Sequence, residues 1–416
     1  MKKGANMSPG VTHGRSLLVV AILLLGLVAA LAVGCGGETT TTTAGQGTAT
    51  TGGTAPTGDP IKIGAIVSAT GPTSALGVQE RNVLEMMETV INNSGGVLGR
   101  PLTIVIADDK SDAKEAVTAA NRLIDQEKVV ALIAATGSPA TLAVKPITAE
   151  KGLPQIAMAA ANAITDEAPM DWIWRTPHKD AMAAARALTY VSESLGATRI
   201  AVLHDENAFG SSGAAEIEKS APALGLEIVA KESYRTDETD LTAQLTKIKG
   251  QNPEVLIVWG TNPGPALAAK NMKQLGMDIP YVGSHGIANK TFIELAGEAA
   301  EGVVFPAGRL LVPESITDPA QKAVTDEFVA NYSATYNGEK PNTFAGYAWE
   351  AISLLVDAIE RAGSTEATAI QSALNATQGF AGPDGIYNYS ATDHDGLTAD
   401  DMIIVKVEGG TWVLVE

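Results

Sequence analysis

Two Rossmann-like α/β lobes with parallel sheets, joined by several chain crossings, are the fold this sequence predicts. Three observations carry it. From residue 60 onward, apolar runs of five to eight residues alternate with stretches of helical period. That is the pattern of strands buried on both faces between layers of helix. The alternation then begins again: the second strand of each set starts near residues 102 and 226 and the third near 129 and 255, an offset of about 125 residues. Finally, roughly 355 residues follow residue 60, enough for two domains of ordinary size.

In the first set, Ile61-Lys62-Ile63-Gly64-Ala65-Ile66-Val67 reads as a buried strand and Ala75 to Asn92 as its helix. Leu102 to Ala107, a helix from Asp112 to Gln126, Val129 to Ala134, a helix from Pro139 to Lys151, and Pro154 to Met158 follow. The second set opens with Arg199 to Leu203 and a helix from Gly210 to Leu224. Leu226 to Ala230, a helix from Leu241 to Gly250, Val255 to Val258, a helix from Pro263 to Leu275, and Tyr281-Val282-Gly283 complete it. Beyond Gly308 the chain returns to helix at Asp318 to Tyr336, Phe344 to Ala362 and Thr365 to Asn375. Met402 to Val407 and Thr411 to Val415 around Gly409-Gly410 read as a hairpin. A late helical block and a final hairpin imply repeated crossings, expected at Arg175-Thr176-Pro177, Phe305 to Gly308 and Gly382 to Tyr389. Lobe 1 is then 60–176 with 308–384, and lobe 2 is 177–307 with 385–416.

The first 59 residues have a different character. Lys2, Lys3 and Arg15 precede an uncharged stretch from Ser16 to Gly37, and Leu31-Ala32-Val33-Gly34 ends it at Cys35, the only cysteine of the chain. A positive head, an apolar core and a small-residue cleavage point make a signal peptide over 1–34. Leu31 to Cys35 looks like a bacterial lipobox, in which the thiol carries a lipid and anchors the mature chain to a membrane. The stretch is also long enough to span a bilayer, or to be a plain secretory signal. A lone cysteine after Gly34 speaks for the lipid, since no second cysteine offers a disulfide. Residues 35–59, rich in Thr and Gly, cannot bury enough apolar surface to offset their ordering and read as a tether.

Charge excludes some partners. Removing 1–34 takes away three of 29 basic residues and none of 47 acidic ones, leaving a net charge of about −21. So acidic a chain is a poor ligand for nucleic acid or anionic headgroups. Enzyme motifs are missing as well: there is no Gly-x-Ser-x-Gly, no phosphate loop ending in Gly-Lys, and no His-Glu-x-x-His. The histidines at 178, 204, 285 and 394 lack metal spacing, and Asp108, Asp109 and Asp112 before a helix suit capping better than a cation. No cofactor and no metal are expected.

In open parallel sheets, ligands sit beyond the carboxyl ends of the strands. Those ends supply Ser68 to Leu76, Thr136-Gly137-Ser138 and Ala159-Ala160-Ala161 in lobe 1. In lobe 2 they supply His204 to Phe209, Gly260-Thr261-Asn262 and Ser284-His285-Gly286. Ser138 before Pro139 is expected to cap a helix whose free N–H groups suit a carboxylate, and Asn262-Pro263-Gly264 repeats the arrangement. Ordinary capping is the competing explanation for both.

Ile63 to Pro72, then Ile91-Asn92 through Gly95-Gly96-Val97-Leu98-Gly99, resemble the opening of the leucine/isoleucine/valine-binding protein family. Asp108-Asp109, Ala116 to Arg122, Gly152-Leu153-Pro154, Ile200 to Asp205, Gly283-Ser284-His285-Gly286 and Glu301-Gly302 continue the match in register over about 60–415. The resemblance implies a type I periplasmic-binding architecture that hands a small solute to an ABC permease, works as a monomer, and is no enzyme. A ligand sensor of the same fold is an alternative.

It also implies a pocket made by Leu76, Gly137, Ser138, Ala159, Ala160, Ala161, Phe209, Thr261, Asn262 and His285. Ser138 keeps the family's carboxylate-holding serine. Ala161 replaces a hydroxyl-bearing residue, Phe209 a tyrosine, Thr261 or Asn262 a second tyrosine, and His285 the acid that meets an ammonium group. A buried ammonium without acceptors is costly. Two ligands therefore stay open: a branched-chain-type amino acid, and an amine-free aromatic or 2-oxo acid.

Overall fold

The computed structural model describes residues 55–415. The expected signal peptide over 1–34, the thiol of Cys35 and most of the tether lie outside the described residues. Strand β1 (Ile61–Val67) is paired on both sides, with β2 (Leu102–Asp108) and β3 (Ala131–Ala134). Gly64 makes the second pairing possible: a Cβ there would come within 2.5 Å of Leu132 Cδ2. With β4 (Gln155–Ala157) and β5 (Ile173–Arg175) these form a five-stranded, wholly parallel sheet in the order β2-β1-β3-β4-β5. Helices α1 (Ser74–Asn93), α2 (Ala113–Asp125), α3 (Ser138–Lys151) and the single turn α4 (Ala163–Asp166) connect its strands. Asp112 starts α2 by accepting from the N–H groups of Lys114 and Glu115.

The second sheet holds β6 (Arg199–Asp205), β7 (Glu227–Tyr234), β8 (Val255–Trp259), β9 (Tyr281–Gly283) and β10 (Val304–Ala307) in parallel. Helices α5 (Asp180–Thr189), α6 (Ala208–Ser220), α7 (Thr242–Gly250), α8 (Gly264–Gln274) and α9 (Lys290–Ala296) belong to this stretch. The chain then runs through α10 (Pro319–Thr335), α11 (Thr343–Ala362) and α12 (Ala367–Asn375). A two-stranded ladder follows, β11 (Phe380–Ala381) with β12 (Ile386–Tyr387). The hairpin β13 (Ile403–Glu408) and β14 (Thr411–Leu414) finally joins the second sheet antiparallel to β10, giving the order β14-β13-β10-β9-β8-β6-β7.

The late helices return to the first sheet. Leu354, Leu355 and Ile359 of α11 share a core with Ile61, Ile63, Val83 and Leu84, and Tyr387 and Tyr389 close it. Each sheet thus has its own core, and the chain passes between them near residues 176–179, after Ala307, and after Leu397. Phe305 to Ala307, expected as a crossing, is strand β10. Pro306 argues against a central strand, yet β10 meets β9 only at Val304, so the missing N–H lies beyond that pairing. Helix α5 carries no bulky apolar stripe to announce it: Ala181, Ala183, Ala184, Ala185 and Ala187 leave small residues on most faces.

The passages are tied to one another. Arg175, fully buried, forms an ion pair with Asp395 at 2.8 Å, and Lys179 meets the same carboxylate at 2.7 Å. The Arg175 N–H donates to the His394 carbonyl, and the Tyr389 hydroxyl donates to the Arg175 carbonyl at 2.7 Å. Burial pushes the Asp395 carboxyl up, but Arg175, Lys179 and Thr165 more than reverse this, so it titrates below the usual value of 3.8.

Replacing Asp395 with Ala leaves the Arg175 guanidinium buried without its counter-charge and is expected to cost about 3–5 kcal/mol in urea unfolding. Because the folded pKa is depressed, this contribution is present above the unfolded value of 3.8 and is lost as pH falls through the folded one. An Asp395→Ala variant as stable as the wild type at pH 7 would refute the clamp.

Candidate functional site

Between the carboxyl edges of the two sheets lies a cavity of about 250 Å³. Helix α3 supplies one end of it. Gly137 is the N-cap with extended backbone, and Ser138 is the first helical residue, so Ser138 does not cap the helix as expected. Its hydroxyl instead accepts the Ala161 N–H at 3.2 Å, which leaves its own proton free to donate. The turn is held by Thr141, whose Oγ1 accepts from the Ala135 N–H at 3.0 Å. Gly137, Ser138, Pro139 and Ala140 all line the cavity. The unpaired first-turn N–H groups and positive dipole end of a 14-residue helix therefore open onto it.

Ala159 and Ala160 line the cavity beside this helix start, and Leu76 lines it as well. Ala161 does not reach the wall. Its N–H is turned to Ser138 and its carbonyl to Arg175 Nη2 at 3.0 Å, so it belongs to the support behind the site. From the second lobe come Asn207, Phe209, Thr261, His285 and Gly286. Of the pair Thr261 and Asn262, only Thr261 faces the cavity. Asn262 is buried, its amide donates to Asn289 at 3.4 Å, and it makes no side-chain cap of α8, whose N-cap is Pro263. The Phe209 ring meets His285 edge-on, with centroids 5.3 Å apart, and Trp259 meets His285 at 5.9 Å. Gly286 makes room for this, since a Cβ there would stand 2.8 Å from Phe209 Cε1.

Other lining residues escaped the sequence reading. Thr236 and Asp237 follow the carboxyl end of β7, which runs to Tyr234 and not, as expected, to Ala230. The strand-end rule would have found them had the strand been read to its full length. Ser111, Met158 and Pro177 adjoin expected segments. Phe344 and Tyr347 come from the first turns of α11, and no local signal places that helix here.

The acids behind the walls of the site are shifted toward their neutral forms. Glu80, buried beneath Thr136 and accepting its hydroxyl proton, is pushed by desolvation from 4.5 to about 8. Burial likewise raises Asp109, which accepts from Ser68 Oγ at 2.7 Å, and Asp205, which accepts from Thr236 Oγ1 at 2.7 Å. Desolvation holds His285 near 3 and therefore neutral. Among the described residues the one carboxylate on the lining is exposed Asp237, engaged by Arg235 at 2.8 Å. Such a site can accept a carboxylate at the α3 end and an apolar or weakly polar body against Leu76, Phe209 and Phe344. Among the described residues no cluster of His, Cys, Asp and Glu has the arrangement to hold a metal ion. Asp109 and Asp112 are occupied by turn and cap N–H groups.

Comparison with known proteins agrees with this architecture. The family model described as "Periplasmic binding protein" matches residues 60–411. The leucine-, isoleucine-, valine-, threonine- and alanine-binding protein of Pseudomonas aeruginosa is 29% identical over 318 residues, covering 76% of this chain and 83% of its own. A leucine-binding protein of Thermotoga maritima superposes with a TM-score of 0.78 at 28% identity, covering 86% of this chain and 98% of its own. The branched-chain amino acid transporter substrate-binding protein of Streptococcus pneumoniae, solved with isoleucine, gives 0.77 at 27% over 86% of this chain and 99% of its own.

Glu80 makes the pH dependence of stability testable. Its folded pKa is raised, so the folded state holds a proton that the unfolded state has released between pH 4.5 and about 8. Stability must fall as pH rises through that window, by on the order of 1.4 kcal/mol per unit while the difference persists. In Glu80→Gln this part of the slope is expected to vanish in urea titrations between pH 5 and 8. An unchanged slope would mean that Glu80 is ionised in the fold.

Proposed function

We propose, from the premise that this chain belongs to the periplasmic binding protein family, that it is the extracytoplasmic solute-binding lipoprotein of an ABC importer. It closes its two lobes around a small carboxylate, either a branched-chain-type amino acid or a related acid. The family is one of solute-binding proteins and not of enzymes. One observation carries the ligand class: the open first turn of α3, with the Ser138 hydroxyl beside it, faces a cavity between the sheets. The names of relatives that bind leucine, isoleucine and valine support the amino-acid form. The amine-free form is favoured by the wall itself, where Glu80 is held protonated, burial raises Asp109 and Asp205, and Asp237 stands only at the rim. Delivery requires a permease as partner.

Mass spectrometry of the ligand released from purified, denatured protein identifies the acid directly. Ser138→Ala is expected to weaken binding of that acid by about 1–3 kcal/mol in calorimetry, the scale of a hydrogen bond to a charged group. Small-angle scattering should report a smaller radius of gyration at saturation. A released molecule without a carboxylate would refute the reading. Tight leucine binding, with none by 4-methyl-2-oxopentanoate or benzoate, would remove the amine-free form.

The anchor rests on Leu31 to Cys35 and on the absence of any second thiol. Mature protein from the native host should carry a diacyl or triacyl adduct on Cys35, and Cys35→Ala should release the domain or leave the precursor uncut. An unmodified mature N-terminus at another residue would dismiss the lipoprotein.

A further inference from the structure

Behind the second-lobe wall of the cavity, two histidines lie side by side. His285 lines the cavity and is 3% exposed, while His178 follows the lining residue Pro177 and is fully buried. Neither nitrogen of either ring meets hydrogen-bond geometry with a protein group, although the His178 backbone lies close enough to His285 to favour its protonation slightly. A buried ring nitrogen without a partner is costly, and here four lie at one place beside the cavity. The His285 ring is held by aromatic neighbours, Phe209 and Trp259 meeting it edge-on. Trp259 is held in turn, its Nε1–H donating to Asp180 at 2.9 Å.

Ionisation does not relieve the cost. Burial drives both rings to about 3, and the positive charges of Arg175 near His285 and of Arg309 near His178 push in the same direction. A neutral imidazole presents one donor and one acceptor. It is suited to an uncharged hydroxyl or carbonyl oxygen and unsuited to an ammonium group, which demands acceptors and prefers negative charge.

We infer that His285, backed by His178, selects a ligand carrying a second, uncharged oxygen, so that the acid bound at Ser138 is a hydroxy or oxo acid and not its unsubstituted parent. This rests on the carboxylate reading given under Proposed function. His285 is the specificity-determining residue and His178 lies behind it: the oxygen fills an unmet hydrogen bond at the His285 ring, and an acid lacking it leaves that ring without a partner.

The experiment is calorimetry with the ligand-free mature chain and matched acids. The aliphatic set is 4-methylpentanoate, its 2-hydroxy and 2-oxo derivatives, and leucine; the aromatic set is benzoate and 4-hydroxybenzoate. In at least one set the oxygen-bearing acid is expected to bind about tenfold or more tightly than its parent, one hydrogen bond's worth. His285→Phe should collapse that ratio toward one, and His285→Gln, which keeps a donor and an acceptor, should retain most of it. In the wild type, ¹⁵N shifts of the His285 ring should move with the oxygen-bearing acid and not with the parent, a readout that requires no variant. Equal binding of parent and oxygen-bearing acids in both sets overturns the inference and leaves the carboxylate reading intact. Leucine as the tightest ligand, with unmoved imidazole shifts, overturns it too. Failure of every acid to bind overturns the carboxylate reading itself, and this inference with it.

Discussion

The buried Arg175–Asp395 pair is the constraint on which the rest of this structure depends. Arg175 ends the last strand of the first sheet, and Asp395 lies just before the last passage back to the second. The same guanidinium donates to the carbonyl of Ala161 and, through Nε and Nη2, to Thr165 Oγ1. One side chain thus sets the spacing of two inter-lobe passages and holds the loop of Ala159, Ala160 and Ala161 against the cavity. A buried ion pair contributes little net stability compared with a well-packed apolar substitute, yet removing one partner is severe. What the pair supplies is register: the lobes can hinge about passages that are themselves fixed to one another.

The second general feature is the suppression of charge around the cleft. The chain is strongly acidic overall, yet the acids behind the cavity wall, Glu80, Asp109 and Asp205, are buried and shifted toward their protonated forms. The same is true of Glu350 and Asp384, which desolvation raises well above their usual values, with the Asp384 charge adding to the effect on Glu350. They sit where the chain leaves and re-enters the first lobe: Tyr387 donates to Glu350, and Gly308 and Gly346 leave room for the Asp384 carboxyl. For an anionic ligand the consequence is direct. Acidic surface charge is screened over about a Debye length of 8–10 Å, while the buried wall offers N–H groups and hydroxyls with little opposing negative charge.

Much of this protein was determined by its sequence alone. Alternating strand and helix periods, repeated at a fixed offset, are local consequences of burial on both faces. They predicted the α/β class, the two sheets and the closing hairpin, and the strand-end rule led to Gly137, Ser138, Ala159, Ala160, Phe209, Thr261 and His285 on the cavity wall. Elements whose pattern is weak escaped it: the alanine-rich α5, the three-residue β5, and β10 with its proline. Only the tertiary structure decided which side chains face the cleft. Ser138 and Ala161 are 23 residues apart in the chain, and the hydrogen bond between them turns one toward the cavity and the other away. Phe344 and Tyr347 reach the site because α11 crosses back onto the first sheet. The state of the buried ionisable groups was equally hidden, because desolvation depends on what packs around a residue and not on its neighbours in the chain.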